Sequence, residues 1–400
     1  MTRHGTHRAY ASRAVVLRLL GIAVVAFCAA CDARLREPPG ATLSLGELLG
    51  GADTLHARAV EPRDFAFPED HGPHPEFRTE WWYFTGNLTA SDGRELGYQL
   101  TFFRSALTDS ASYDVTNRSG WRARHAYMAH FAVTDGGAGE LVAAQKFSRG
   151  ALGLAGATFS GDTLHVWLED WNASSTGDDA FPLRLRAEHA DIAIDLIVER
   201  GKPVVLQGQR GLSRKGAAPG NASYYYSLTR MPTHGSVRTS AGTFSVSGTS
   251  WLDREWSTSV LSPGVVGWDW LSLQLNDSTE LMMYRLRRAD GTVDPFSAAT
   301  FVDRDGTTRT FAADGFTMIP VDEWRASDGV TYPVAWEVAI PQIGLALDVA
   351  TPVADQELDL AVRYWEGMVR AHGTRGERIV SGRGYLEMTG YAAPNDGRTR

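Results

Sequence analysis

Cysteine is almost missing from this chain: Cys28 and Cys31 are the only two in 400 residues, and neither lies in the folded body, so no disulfide staples it. Lysine is nearly as scarce, at Lys146, Lys202 and Lys215. A formal net charge of -8 with no basic stripe excludes a nucleic-acid surface. The apolar run from Leu19 to Phe27 is too short to span a bilayer. No stretch beyond about a dozen residues keeps an apolar stripe of helical period, which excludes a helical architecture. No Gly-x-Ser-x-Gly elbow is present, and no glycine loop follows a strand and opens a helix, so nucleophile-elbow hydrolysis and nucleotide cofactors are excluded. No cofactor is expected.

Aromatics and short strands are what the chain does have. Arg78-Thr79-Glu80-Trp81-Trp82-Tyr83-Phe84-Thr85-Gly86-Asn87-Leu88 puts four aromatics in a row behind a carboxylate. In a strand, Glu80, Trp82 and Phe84 share one face, and Trp81, Tyr83 and Thr85 the other. Large rings on both faces fit a barrel wall with a core on one side and a second layer or an apolar pocket on the other. Strand signals then recur at short intervals to Val380–Met388, separated by glycine, aspartate and serine; one is expected to run unbroken over Leu358–Tyr364.

Two echoes point to a duplicated unit. Trp81 and Leu88 are spaced as Trp268 and Leu275 are, and Gly248-Thr249-Ser250-Trp251-Leu252-Asp253 is echoed by Gly382-Arg383-Gly384-Tyr385-Leu386-Glu387, in the same order. The expected fold is all-β, with two packed antiparallel barrels at 63–238 and 239–394 and the seam between Pro232 and Thr243. Ahead of them, residues 1–30 read as a lipoprotein-type export signal, with small residues before a lipidated Cys31, and 31–62 as a tether. The expected address is the bacterial envelope or periplasm.

The Arg78–Leu88 block, the following Tyr98-Gln99-Leu100-Thr101-Phe102-Phe103-Arg104, Ala129-His130-Phe131-Ala132-Val133-Thr134-Asp135, Ser250–Trp256 and Gly267-Trp268-Asp269-Trp270 resemble the lipocalin-like carotenoid 1,2-hydratase family, also known as AttH-like proteins. The resemblance spans about Phe67 to Tyr391. It implies two lipocalin-like barrels, an elongated apolar ligand of isoprenoid or lipid type and, in some members, hydration of a terminal isoprenoid double bond. Other members are exported lipoproteins, some encoded beside transporter permeases, which implies the alternative of a noncatalytic carrier working with an ABC-type permease. Arg254 stands where the pigment-forming hydratases carry a histidine.

Hydrating an unactivated alkene needs an acid that protonates carbon, and aromatic faces that steady the resulting cation. Acids among aromatics occur at Glu80, at Asp253 and Glu255, and at Asp269. Asp253 and Asp269 are the candidate proton donors, although alternation points Asp269 away from both Trp268 and Trp270. The candidate ligand-binding set is Glu80, Trp81, Trp82, Tyr83, Arg104, His130, Tyr225, Trp251, Arg254, Glu255, Trp256, Trp268, Trp270 and Tyr385. The competing expectation is structural: these acids pair with Arg254, Arg104 or Arg230 and lock the barrels together. His71 with His74, and His125 with His130, have no third ligand at diagnostic spacing, so no metal site is expected.

Overall fold

The computed structural model describes residues 55–107, 122–258 and 261–392. The expected export signal, Cys31 and most of the expected tether lie outside the described residues. The body is all-β, and its helical content among the described residues is two single turns, Glu69–His71 and Pro341–Ile343.

The first sheet takes strands β1 (Thr79–Ala90), β2 (Glu95–Ala106), β3 (His125–Asp135), β4 (Glu140–Arg149), β5 (Ala155–Ser160), β6 (Thr163–Leu168), β7 (Trp171–Ser175), β8 (Leu183–His189), β9 (Ile192–Val198), β10 (Val205–Leu206), β11 (Leu212–Arg214), β12 (Ala222–Thr239) and β13 (Gly242–Ser257). The second takes β14 (Val265–Leu275), β15 (Glu280–Arg288), β16 (Ala298–Val302), β17 (Thr308–Ala312), β18 (Thr317–Arg325), β19 (Thr331–Ile340), β20 (Leu345–Ala350), β21 (Glu357–Asp359), β22 (Arg363–Arg375) and β23 (Arg378–Thr389). Their orders are β4-β3-β2-β1-β13-β12-β9-β8-β7-β6-β5 and β17-β16-β15-β14-β23-β22-β20-β19-β18. In each sheet the first strand pairs with both the second and the last, so the edges of the strand order are β4 and β5 in the first sheet and β17 and β18 in the second.

The seam expected between 232 and 243 is instead the β12–β13 hairpin of the first sheet, so the division falls between Ser257 and Val265. The pattern misled because β13 closes the first unit by pairing with β1, a contact invisible in local sequence. The strand expected over Leu358–Tyr364 is broken into β21 and the start of β22, since Leu358 pairs with Tyr364 itself. The end of the expected tether is packed rather than free: Ala59 is buried with Phe77 against Tyr224, Tyr226 and Trp256, and the Tyr224 hydroxyl donates to the Glu61 carbonyl at 2.9 Å.

Alternation sorts the aromatics as the strand pattern predicts. Trp82 and Phe84 enter the core of the first barrel, while Trp81 and Tyr83 face the second. The second barrel has its own core around Leu271, Phe301, Trp336 and Trp365. Between the two lies a layer of Tyr83, Tyr225, Trp251, Trp270, Tyr284, Met368 and Tyr385, with Trp81 and Trp268 packed against it.

Candidate active site between the barrels

The duplication seen in sequence becomes a register. Tyr83 of β1 pairs with Asp253 of β13 as Trp270 of β14 pairs with Glu387 of β23. Leu88 opposes Gly248 as Leu275 opposes Gly382. Extending the match across neighbouring strands pairs Trp81 with Trp268, Phe103 with Leu286 and Tyr225 with Tyr364 as counterparts. All of these except the Leu88 and Leu275 set line one mainly apolar cavity of about 130 Å³ between the barrels. That is room for far more than the single water that roughly 10–15 Å³ admits.

Four carboxyls reach this cavity: Asp253, Glu255, Glu366 and Glu387. Asp253 Oδ1 accepts hydrogen bonds from Ser227 Oγ and from the Trp251 indole, both at 2.6 Å, and Oδ2 accepts from the Tyr225 hydroxyl. The Tyr225 oxygen accepts in turn from Trp270 Nε1 at 3.1 Å. Indole N–H groups only donate, so both chains run toward the carboxylate. Burial raises Asp253 to about 7, against the lowering effect of these donors. Glu387 is raised to about 7 as well, chiefly by burial, with Trp268 Nε1 donating to it at 2.9 Å. Glu366 lies directly opposite Glu387 across β22 and β23 and is raised well above the usual carboxylate range by burial and then by Glu387. It accepts from the Tyr83 hydroxyl at 2.7 Å, while its buried Oε2 has no hydrogen-bond partner. Among the described residues no arginine or lysine is paired with Asp253, Glu366 or Glu387; the cavity's ammonium, Lys215, sits 3.5 Å from Glu255 and 4.1 Å from the centre of the Tyr284 ring.

Of the residues singled out in sequence, Trp81, Tyr83, Tyr225, Asp253, Glu255, Trp268 and Trp270 line the cavity. Trp251 and Tyr385 stand just behind, within the same aromatic layer. His130 backs the wall, with Nδ1 hydrogen-bonded to the cavity residue Tyr364 at 2.7 Å, and burial lowers it to about 3, so it is neutral.

The others belong elsewhere. Asp269 is turned into the second barrel, where Arg285 at 2.7 Å, Arg287 at 3.2 Å and the Tyr391 hydroxyl at 2.9 Å hold it; the alternation that placed its tryptophans at the cavity takes it away. Glu80 forms a buried cluster with Arg104, Arg254 and His74. Burial alone would raise Glu80, but Arg104, the His74 hydrogen bond and Arg254 overrule it and hold it below the usual range. Trp82 packs in the first core, and Trp256 stacks on His74 with 3.7 Å between ring centres. Glu80 is thus paired with Arg104 and Arg254 as the structural expectation has it, but within the first sheet, and Asp269 is paired within the second sheet with Arg285 and Arg287 instead of the expected arginines; the acid that ties the two sheets together through Arg230 is Glu280, with Lys202 beside it. The structural expectation does not hold for Asp253. His71 and His74 are buried, against Tyr226 and Trp256, and among the described residues no group of three or more His, Cys, Asp or Glu could hold a metal.

Glu366, Glu387, Lys215, Tyr284 and Tyr364 are cavity residues not singled out in sequence. A signal existed for Glu387, because the Gly382–Glu387 echo ends on it as Gly248–Asp253 ends on Asp253. Glu366 follows Tyr364-Trp365, an acid beside aromatics like the other candidates.

A profile of the AttH-like family matches residues 58–391. The structure is similar to that of a Nitrosomonas europaea protein described as an AttH, with 36% identity and a TM-score of 0.73 over 84% of this chain and 100% of that one. It is also similar to kievitone hydratase from Nectria haematococca, with 16% identity and a TM-score of 0.62 over 81% and 92% of the two chains. A third likeness is to CghA with Sch210972, at 14% identity and a TM-score of 0.50 over 85% and 98%. At the last two identities the likeness is one of fold. No curated protein matches the sequence. Since the profile covers the strand-bearing body and the Nitrosomonas chain is matched along its whole length, this chain belongs to the AttH-like family.

Proposed function

We propose that this is an exported protein, anchored through Cys31, that takes an apolar isoprenoid- or lipid-like molecule into the cavity between its barrels and hydrates a carbon–carbon double bond by acid catalysis. The observation that carries this reading is a ring-lined cavity holding Asp253, Glu366 and Glu387 with no basic partner among the described residues. A carboxyl whose charged form is disfavoured keeps a proton near neutral pH, which general acid catalysis requires. The rings of Trp81, Trp268 and Trp270 stabilise a carbocation by roughly 0.5–2 kcal/mol each. That a hydratase shares the fold is consistent with this chemistry.

Sequence reasoning made Asp253 a proton donor; its three donors suit it better to the other half of the reaction. As a carboxylate it takes the proton from the water that captures the cation. The lipidation signature at Cys31 favours a second reading, a noncatalytic carrier that passes its ligand to a membrane transporter. Incubating the mature protein with acyclic isoprenoids and envelope lipids in oxygen-18 water, followed by mass spectrometry of the extract, separates the two. Heavy oxygen in the bound molecule supports hydration, and Asp253→Asn is then expected to lower turnover about 100-fold or more while binding persists. A bound but unchanged molecule supports the carrier.

A further inference from the structure

We infer that Glu366 and Glu387 hold a single proton between them and that Glu366 is the acid that protonates the ligand. This rests on the hydratase reading for the second half of the statement and on geometry for the first. The two side chains are direct cross-strand neighbours in β22 and β23, a spacing of about 4.5–5.5 Å between Cβ atoms, so two ionised carboxylates repel at close range in an enclosed apolar space. No basic group among the described residues is paired with either. Tyr83 donates to Glu366 Oε1 and Trp268 to Glu387, the Tyr364 hydroxyl also interacts with Glu366, and Glu366 Oε2 lies buried beside the cavity with no hydrogen bond of normal geometry. Protonation there removes the charge that burial and the neighbouring carboxylate penalise. The other titratable groups facing the pair are Tyr83 and Tyr364 beside Glu366, Tyr385 on β23, Asp253 and Glu255 on β13, and Lys215 bound to Glu255.

The reaction balances with these groups. The Glu366 proton forms the new C–H bond with the alkene π electrons, leaving a cation at the other carbon. Water forms the C–O bond and releases its proton to Asp253, and exchange with solvent returns Glu366 and Asp253 to their starting states.

Infrared difference spectroscopy of the ligand-free protein tests the shared proton without any turnover. Near neutral pH the protonated-carboxyl absorption is expected to hold a component that persists to higher pH than those of Asp253 and Glu387, is lost in Glu366→Gln and titrates at lower pH in Glu387→Gln, where the neighbouring charge is gone. Identical spectra for wild type and Glu366→Gln overturn the proposal. With an alkene that the wild type hydrates, Glu366→Gln should lose at least about 100-fold in turnover but still bind, and Glu387→Gln should keep turnover at low pH with its alkaline limb moved to lower pH. Hydration retained in Glu366→Gln overturns the acid assignment while the hydratase reading stands. A band that behaves as expected in a protein that hydrates nothing supports the shared proton and overturns the hydratase reading.

Discussion

At the scale of single residues, Asp253 shows how enclosure rather than sequence neighbourhood sets chemistry. It and Asp269 look alike in sequence, each an acid beside tryptophans, yet Asp269 is held by two arginines and Asp253 by neutral donors. Because burial raises the folded Asp253 from 3.8 to about 7, its contribution to stability is complete below about pH 4 and is lost as pH rises through about 7. At 1.36 kcal/mol per unit, full ionisation costs about 4 kcal/mol. Glu387, raised from 4.5 to about 7, acts with the same sign. Thermal unfolding midpoints are therefore expected to fall between about pH 5 and 8, and Asp253→Asn should flatten that slope. An unchanged slope in the variant would show that Asp253 ionises without cost.

At the scale of elements, what was legible was alternation. The split of Trp81 and Tyr83 from Trp82 and Phe84 follows from strand geometry alone, as does the turning of Asp269 away from its tryptophans. What was not legible was which strand lies beside which, because β13 and β1 are far apart in sequence and locally β13 reads only as the return arm of a hairpin. The close pairing of first and last strands leaves its mark on glycine. A Cβ on Gly384 would fall 1.7 Å from the Ser272 carbonyl oxygen, and one on Gly248 2.2 Å from that of Asn87. Both sites are backbone-limited, so Gly384→Ala and Gly248→Ala are expected to cost roughly 1–3 kcal/mol or more in urea unfolding. Gly177→Ala, where an added Cβ meets no atom within 4 Å, should stay within about 0.5 kcal/mol.

At the scale of the whole molecule, the barrels are bound by the same surfaces that form the cavity. Tyr83 reaches Glu366, Gln99 reaches Tyr364 at 3.3 Å, and Asn87 donates to the Gly384 carbonyl at 3.1 Å. Arg230 and Lys202 meet on Glu280. A chain ending after the first sheet would expose Trp81, Tyr83 and Tyr225 together with buried polar groups that have lost their partners, a surface that does not remain monomeric in water. Calorimetry of the full chain is expected to give one cooperative transition, whereas residues 1–258 expressed alone should aggregate or bind an apolar dye. Two separated transitions, or a stable monomeric first half, would contradict this coupling.

The sequence by itself determined the all-β class, the faces on which the aromatics of the first strand lie and the existence of two related halves, because side-chain direction has a period of two and a duplicated unit repeats its motifs. Only the tertiary structure decided which acids matter. Whether a carboxyl is paired with arginine, like Glu80 and Asp269, or shut among rings, like Asp253, Glu366 and Glu387, depends on strands from both halves meeting across one cavity, and that enclosure, not local sequence, sets its proton affinity.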